Sequence, residues 1–310
     1  MSTPKKGLIP VMVLPRKTNG TIDYYTLDAF VDFFLDAGVM GLFANCLSTE
    51  MYFLNNEERL AHTARVVERV NGQIPVVATG TFEGTVAQQA DFCKRIYDTG
   101  VEAVVVITSQ MAQAHESDEV FLARMEELLA RTGNIPLGFY ECPLPYKRLL
   151  SPAILAQLLP TGRLHYHKDT SCSVEDVKQK LDVIKGTSFR FFDAHLPNAL
   201  ASLRMGADGL SAIAGNSFPE VLTWLCENYD LPERQEDVEW LQQELTDTNA
   251  LIHLAYPVGA KYFLQRRGLP FQRLSRTHTP DLTDAERIQF DGLFARWESW
   301  CERLGITVQI

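Results

Sequence analysis

The residue with the most chemistry to offer is a lysine that closes a short apolar run. Leu164-His165-Tyr166-His167-Lys168 is aromatic-rich and bounded by polar residues, the pattern of a β-strand. Period-two alternation puts Tyr166 and Lys168 on one face and His165 and His167 on the other. An ammonium taken out of water tends to lose its proton. The neutral amine that results is the nucleophile that condenses with a ketone to form an imine. The competing roles for Lys168 are a side chain that snorkels to solvent and one that pairs with the adjacent Asp169. A second candidate, Tyr140, ends the preceding apolar run in Phe139-Tyr140-Glu141-Cys142-Pro143. Neighbouring parallel strands lie about 4.8 Å apart, so a phenol there can reach an imine carbon and move protons. Its competing role is core packing.

Both residues need a scaffold that gathers strand ends. Short β-branched runs at residues 9–14, 41–45, 75–79, 103–108, 136–140, 164–168, 190–193 and 209–214 read as strands. Ala103-Val104-Val105-Val106-Ile107-Thr108 has the continuous apolar character of a parallel strand buried on both faces. Amphipathic stretches fill the gaps. Leu27, Phe30, Val31, Phe34 and Leu35 share one helical face, as do Leu60, Ala64, Val67 and Val70, and further helices fit 86–97, 119–130, 152–159, 174–184 and 196–205. Eight such units predict an α/β chain folded as a (β/α)₈ TIM barrel over residues 1–220, with catalysis at the C-terminal ends of its strands. A doubly wound sheet would favour a G-x-G-x-x-G turn after an early strand. Gly80-Thr81-Phe82-Glu83-Gly84 lacks that spacing, and a Walker A pattern is absent. Residues 221–310 read as a helical appendage, with helices at 238–254, 258–265 and 284–300 and Thr283 or Asp281 as a cap.

Charge and composition exclude several classes. The net charge is −10, and no run of Lys or Arg offers a footprint for nucleic acid. The six cysteines are scattered without C-x-x-C or Cys/His ligand spacing, so neither a zinc site nor a disulfide framework is expected. The apolar run Leu8–Leu14 after the amino terminus is too short for a signal-peptide core, and no stretch approaches a membrane span. The expectation is a cytoplasmic protein with no membrane partner.

Three motifs then carry a family likeness. Lys168-Asp169-Thr170-Ser171 stands against K-D-S-S after a sixth strand, Tyr140-Glu141-Cys142-Pro143 against Y-N-x-P after a fifth, and Gly206-Ala207-Asp208-Gly209 leads into an eighth. With Tyr256-Pro257-Val258-Gly259-Ala260-Lys261 and Gly268-Leu269-Pro270, the chain from Gly7 to Gly305 resembles the dihydrodipicolinate synthase / N-acetylneuraminate lyase superfamily. That resemblance implies a Schiff-base lyase or aldolase, or a related dehydratase, acting on pyruvate or another small 2-keto acid. It assigns the imine to Lys168 and proton transfer to Tyr140. It implies no metal, no cofactor and a homo-oligomer, dimer or tetramer.

The chain also departs from the pattern. The family's G-T-T-G-E loop, which binds the keto-acid carboxylate, is here Cys46-Leu47-Ser48-Thr49-Glu50. Ser48 is expected to supply a catalytic hydroxyl, Leu47 and Thr49 to hold the carboxylate, and Ala214 to contact substrate from the eighth strand's end. The tyrosine that dihydrodipicolinate synthases donate to a proton relay is replaced by Met111, and the arginine that binds their aldehyde substrate by Pro145, with Lys147 or Arg148 as nearby substitutes. His195 is either a substrate contact or the cap of the next helix, and Glu141 is expected to point away from the barrel axis. Dihydrodipicolinate synthase itself stays open as an alternative. So does a barrel without catalysis that only binds a keto acid.

Overall fold

The computed structural model describes residues 5–308; Met1–Pro4 of the amino-terminal segment lie outside the described residues. The chain alternates strand and helix through eight parallel strands: β1 (Gly7–Leu8), β2 (Leu42–Asn45), β3 (Val76–Thr79), β4 (Ala103–Ile107), β5 (Leu137–Tyr140), β6 (Leu164–Asp169), β7 (Arg190–Asp193) and β8 (Gly209–Leu210). The order across the sheet is β1-β8-β7-β6-β5-β4-β3-β2. The ring closes through the extended segment after β1. Val11 bridges Phe43 in parallel, the Phe43 N–H donates to Pro10 O at 3.0 Å, and the Met12 N–H donates to Phe43 O at 3.3 Å. The strand expected at 9–14 is thus displaced to Gly7–Leu8, which pair with Gly209 and Leu210; Pro10 has no N–H to continue the ladder. Gly209 lets β1 and β8 meet, since a Cβ there would lie 1.7 Å from Gly7 O.

The helices are α1 (Tyr24–Asp36), α2 (Asn56–Val70), α3 (Val86–Tyr97), α4 (Thr108–Met111), α5 (Asp118–Arg131), α6 (Pro152–Leu158), α7 (Val174–Ile184), α8 (Ala199–Met205), α9 (Pro219–Asn228), α10 (Gln235–His253), α11 (Val258–Arg266) and α12 (Asp284–Leu304). Local sequence starts them where the strands end. Asn55, Thr85 and Thr283 close capping boxes with Glu58, Gln88 and Glu286, each cap contributing about 1 kcal/mol over alanine. On α2 the expected stripe is displaced: Ala64 is exposed, and the buried face is His62, Thr63, Val66 and Val70. Two polar residues sit in that face because each has a partner. His62 Nε2 lies 3.0 Å from Ala44 O, and the Thr63 hydroxyl donates to Arg59 O at 2.8 Å.

The expected border at residue 220 falls inside α9. That helix packs against β1 and β8, so it completes the eighth βα unit and cannot be shared with an appendage. From α10 onward the chain wraps the barrel and reaches its mouth. Trp300 is fully buried with its ring edge-on to Phe218 at 5.4 Å, and its Nε1 donates to Glu244 at 2.8 Å. Lys261 of α11 pairs with Glu50 at 2.8 Å with both side chains fully buried. The Arg276 guanidinium reaches Glu58, and the Arg276 N–H donates to Glu50. One strand-end loop is thus held by α11 and the segment that follows it.

Candidate active site

Strands β5 and β6 bring the two sequence candidates together. Tyr140 and Lys168 are direct register partners, and alternation turns both inward. The Lys168 Nζ lies 4.7 Å from the centroid of the Tyr140 ring. Below them Tyr166, on the same face of β6, shares a hydrogen bond of 3.1 Å with the Ser211 hydroxyl, and the Phe43 ring meets Tyr140 and Tyr166 edge-on at 5.6 and 5.8 Å. This aromatic floor shuts water out from beneath the amine. Lys168 is 3% exposed and has no carboxylate partner among the described residues, so burial lowers its pKa to about 8. Burial pushes the Tyr140 phenol the other way, well above its ordinary range. The pair is therefore an amine readily freed of its proton beside a phenol that keeps its own.

Above the pair opens a cavity of about 410 Å³ whose walls include Leu47, Ser48, Tyr140, Lys168, Ile213 and Tyr256. The loop after β2 enters it as a tight turn. Cys46 is extended, Leu47–Thr49 form one 3₁₀ turn, and Glu50 takes the left-handed conformation at φ 58°. The Thr49 hydroxyl faces inward to the protein, donating to Ala44 O at 2.6 Å and Met12 O at 2.8 Å, and its N–H closes the turn onto Cys46 O at 3.1 Å. Thr49 thus braces the loop and is not among the residues lining the cavity, where it was expected to hold the carboxylate. The Leu47 and Ser48 amides, first in the turn, have no acceptor within it. Ser48 and Tyr256 both face the cavity.

Ala214 also falls outside the walls. Strand β8 ends at Leu210, and residues Ile213–Asn216 form a 3₁₀ turn, so alternation does not carry through and Ile213 faces the cavity instead. Of the two basic substitutes, Lys147 lines the cavity with its ammonium on Thr170 O at 2.7 Å. Arg148 is engaged elsewhere, by Asp118 at 2.7 Å and the Gln113 and Glu116 carbonyls. Met111 is fully buried. His195 lines the cavity and makes no side-chain cap bond to the turn that follows it. Glu141 points outward as expected and is fully buried. There it converges with His167 and Asp169, a set of donors that suits a metal in principle. The Lys180 ammonium sits between the two carboxylates, 2.5 Å from each.

The chain can now be compared with known proteins. The model of the dihydrodipicolinate synthetase family matches residues 4–294. The chain belongs to that family. Its members are lyases of the class I aldolase type, acting through a Schiff base with pyruvate or a similar keto acid. The 4-hydroxy-tetrahydrodipicolinate synthase of Xylella fastidiosa is 27% identical over 266 residues, 86% of each chain. That of Teredinibacter turnerae is 24% identical over 264 residues, 85% of this chain and 89% of its own. Among solved structures, YagE of Escherichia coli K12, in complex with pyruvate, superposes with a TM-score of 0.84 at 21% identity, covering 94% of this chain and 98% of its own. A dihydrodipicolinate synthase of Bacillus anthracis superposes with a TM-score of 0.83 at 20% identity, covering 95% and 99%.

The family frame shows what the sequence left unassigned. Tyr256 marks the likeness in sequence, yet its place is in the cavity wall, where its hydroxyl accepts from Asn216 Nδ2 at 3.2 Å. His253, Thr277 and Thr279 line the same cavity from the C-terminal region. Only His253 has a sequence signal, its nearness to the Tyr256-Pro257 motif.

Proposed function

We propose that the protein is a Schiff-base lyase in which Lys168 Nζ forms an imine with C2 of pyruvate or another small 2-keto acid. The observation that carries the reading is the buried Lys168 amine, without a carboxylate and in register with the Tyr140 phenol, at the floor of a cavity. The neutral amine attacks C2 and forms a carbinolamine. Tyr140 donates the proton with which the carbinolamine hydroxyl leaves as water. In a 2-keto acid with a hydroxyl on C4, the tyrosinate so formed takes the C4 hydroxyl proton as the protonated imine accepts the electron pair of the breaking C3–C4 bond; an aldehyde leaves, and Tyr140 returns that proton to C3 of the enamine. A dehydratase member would instead lose a proton from C3 of the intact imine, and the enamine so formed would expel the protonated C4 hydroxyl as water. The Ser48 hydroxyl and the Leu47 and Ser48 amides hold the keto-acid carboxylate, and the Ser48 hydroxyl takes part in proton transfer.

Borohydride reduction in the presence of pyruvate tests this directly. The expected result is a mass adduct located on Lys168, and absence of any adduct across a panel of 2-keto acids overturns the reading. The names of the relatives favour one specific reaction, condensation of pyruvate with aspartate semialdehyde as in dihydrodipicolinate synthase. Pro145 and Met111 stand where that reaction's arginine and relay tyrosine are expected, so we place it second; turnover of the two substrates together would promote it. We further propose a homo-oligomer, dimer or tetramer, in the cytoplasm, which light scattering and cell fractionation check. Among the described residues no helix is long and apolar enough to cross a membrane.

A further inference from the structure

The backbone ladder between β5 and β6 ends at the Tyr140–Lys168 pair. Beyond it the Glu141 N–H reaches Lys168 O only at 3.4 Å, long for a hydrogen bond. Backbone pairing therefore ends at the residues that carry the phenol and the amine, and does not fix the residues that follow them. Side chains take over on the opposite face. Glu141 follows Tyr140 and Asp169 follows Lys168, so both turn outward, and both carboxylates meet one cation, the Lys180 ammonium of α7, at 2.5 Å each. All three side chains are within 2% of complete burial.

The remaining acceptor capacity is committed as well. Glu141 accepts the Leu150 N–H at 2.8 Å and the Thr170 N–H at 3.0 Å. Asp169 accepts the Ser171 N–H at 2.8 Å and the Ser171 hydroxyl at 2.6 Å. His167 packs against the Phe191 ring at 5.2 Å, with Nε2 3.6 and 3.7 Å from the two carboxylates. Ion pairs of this depth are seldom more stable than apolar packing of the same volume; what they can contribute is a specific geometry.

We propose that Lys180 is a positioning residue for the Lys168–Tyr140 pair: one ammonium bridges the residues that follow the amine and the phenol and so sets the separation of the two strand ends. The proposal rests on the reading that Lys168 forms an imine. A misplacement of about 1 Å can cost on the order of a hundredfold in rate, so the clamp acts on turnover more than on binding.

The test uses pyruvate as probe and reads deuterium exchange at its C3 in D₂O, which requires both the imine and proton transfer. Glu141→Gln leaves Lys180 with one carboxylate, a neutral pair that keeps the fold. Glu141→Asp keeps the charge and shortens one arm by a methylene. For both folded variants the maximal exchange rate is expected to fall about tenfold or more, with KM for pyruvate within about threefold and the borohydride adduct on Lys168 still formed. Exchange at the wild-type rate in either variant, or a loss confined to KM, overturns the clamp. A wild-type protein that neither exchanges nor traps pyruvate or any other 2-keto acid instead overturns the imine reading, so the two failures are told apart.

Discussion

Lys168 and Lys180 are both buried and only a loop and about two helical turns apart in sequence, yet the protein sends them in opposite directions. Lys168 lies on the inner face of β6 with no carboxylate in reach, and burial lowers it to about 8. For Lys180 burial also pulls downward, but Glu141 and Asp169 together outweigh it and raise its pKa above the ordinary value. Lys261 is an intermediate case. Burial wins over the one carboxylate it meets among the described residues, Glu50, and its pKa is lowered. Desolvation alone makes a nucleophile; desolvation with two anions makes a structural cation. The side of the strand a residue faces decides which.

The sharpest way to break this contrast is to remove each amine in turn. Lys168→Met should abolish turnover, a loss on the order of 10⁴-fold or more, while leaving the melting temperature unchanged or raised, because an unpaired buried amine is replaced by an apolar chain of similar length. Lys180→Met should do the reverse in stability. It strands two buried carboxylates and is expected to cost about 3–5 kcal/mol, read as a lower denaturant midpoint. If both variants shift stability in the same direction, the contrast fails.

Ser48→Ala tests whether the loop over Lys168 still grips a carboxylate. Losing one hydrogen bond to a charged group costs roughly 1.5–3 kcal/mol, expected as a higher KM for pyruvate with imine trapping intact at saturation. The smallest effect is in pH. Imine formation needs the neutral amine, so its rate should climb with pH and level off above about 8. Stability should move in the same direction. Between about 8 and the ordinary 10.5 of a lysine, the unfolded chain holds a proton on this amine that the folded chain has released. Stability therefore rises with pH across that window. Denaturant titrations of Lys168→Met should lack that rise.

Much of this was legible in the residues. The alternation of apolar runs and amphipathic stretches, with capping residues such as Thr85 and Thr283 at the junctions, already specifies a βα barrel. Lys168 and Tyr140 stand out because each closes a strand, where a two-residue period still tells which way a side chain points. Thr49 and Ala214 were misplaced because each lies in a 3₁₀ turn, where that period no longer holds. Lys180 carried a signal of its own, a lysine at the spacing of Val177, Leu181 and Ile184 on the buried stripe of α7. Its meaning needed the partners.

The sequence by itself determined the local periods, the caps and the identity of the two residues that stand in register at the barrel mouth. Only the tertiary structure decided that Glu141 and Asp169 meet Lys180 and leave Lys168 alone, and that Tyr256 and the 277–279 segment roof the cavity. The physical reason is that a lysine's pKa depends on solvent exclusion and on charges brought near by folding. Neither is a property of neighbours along the chain.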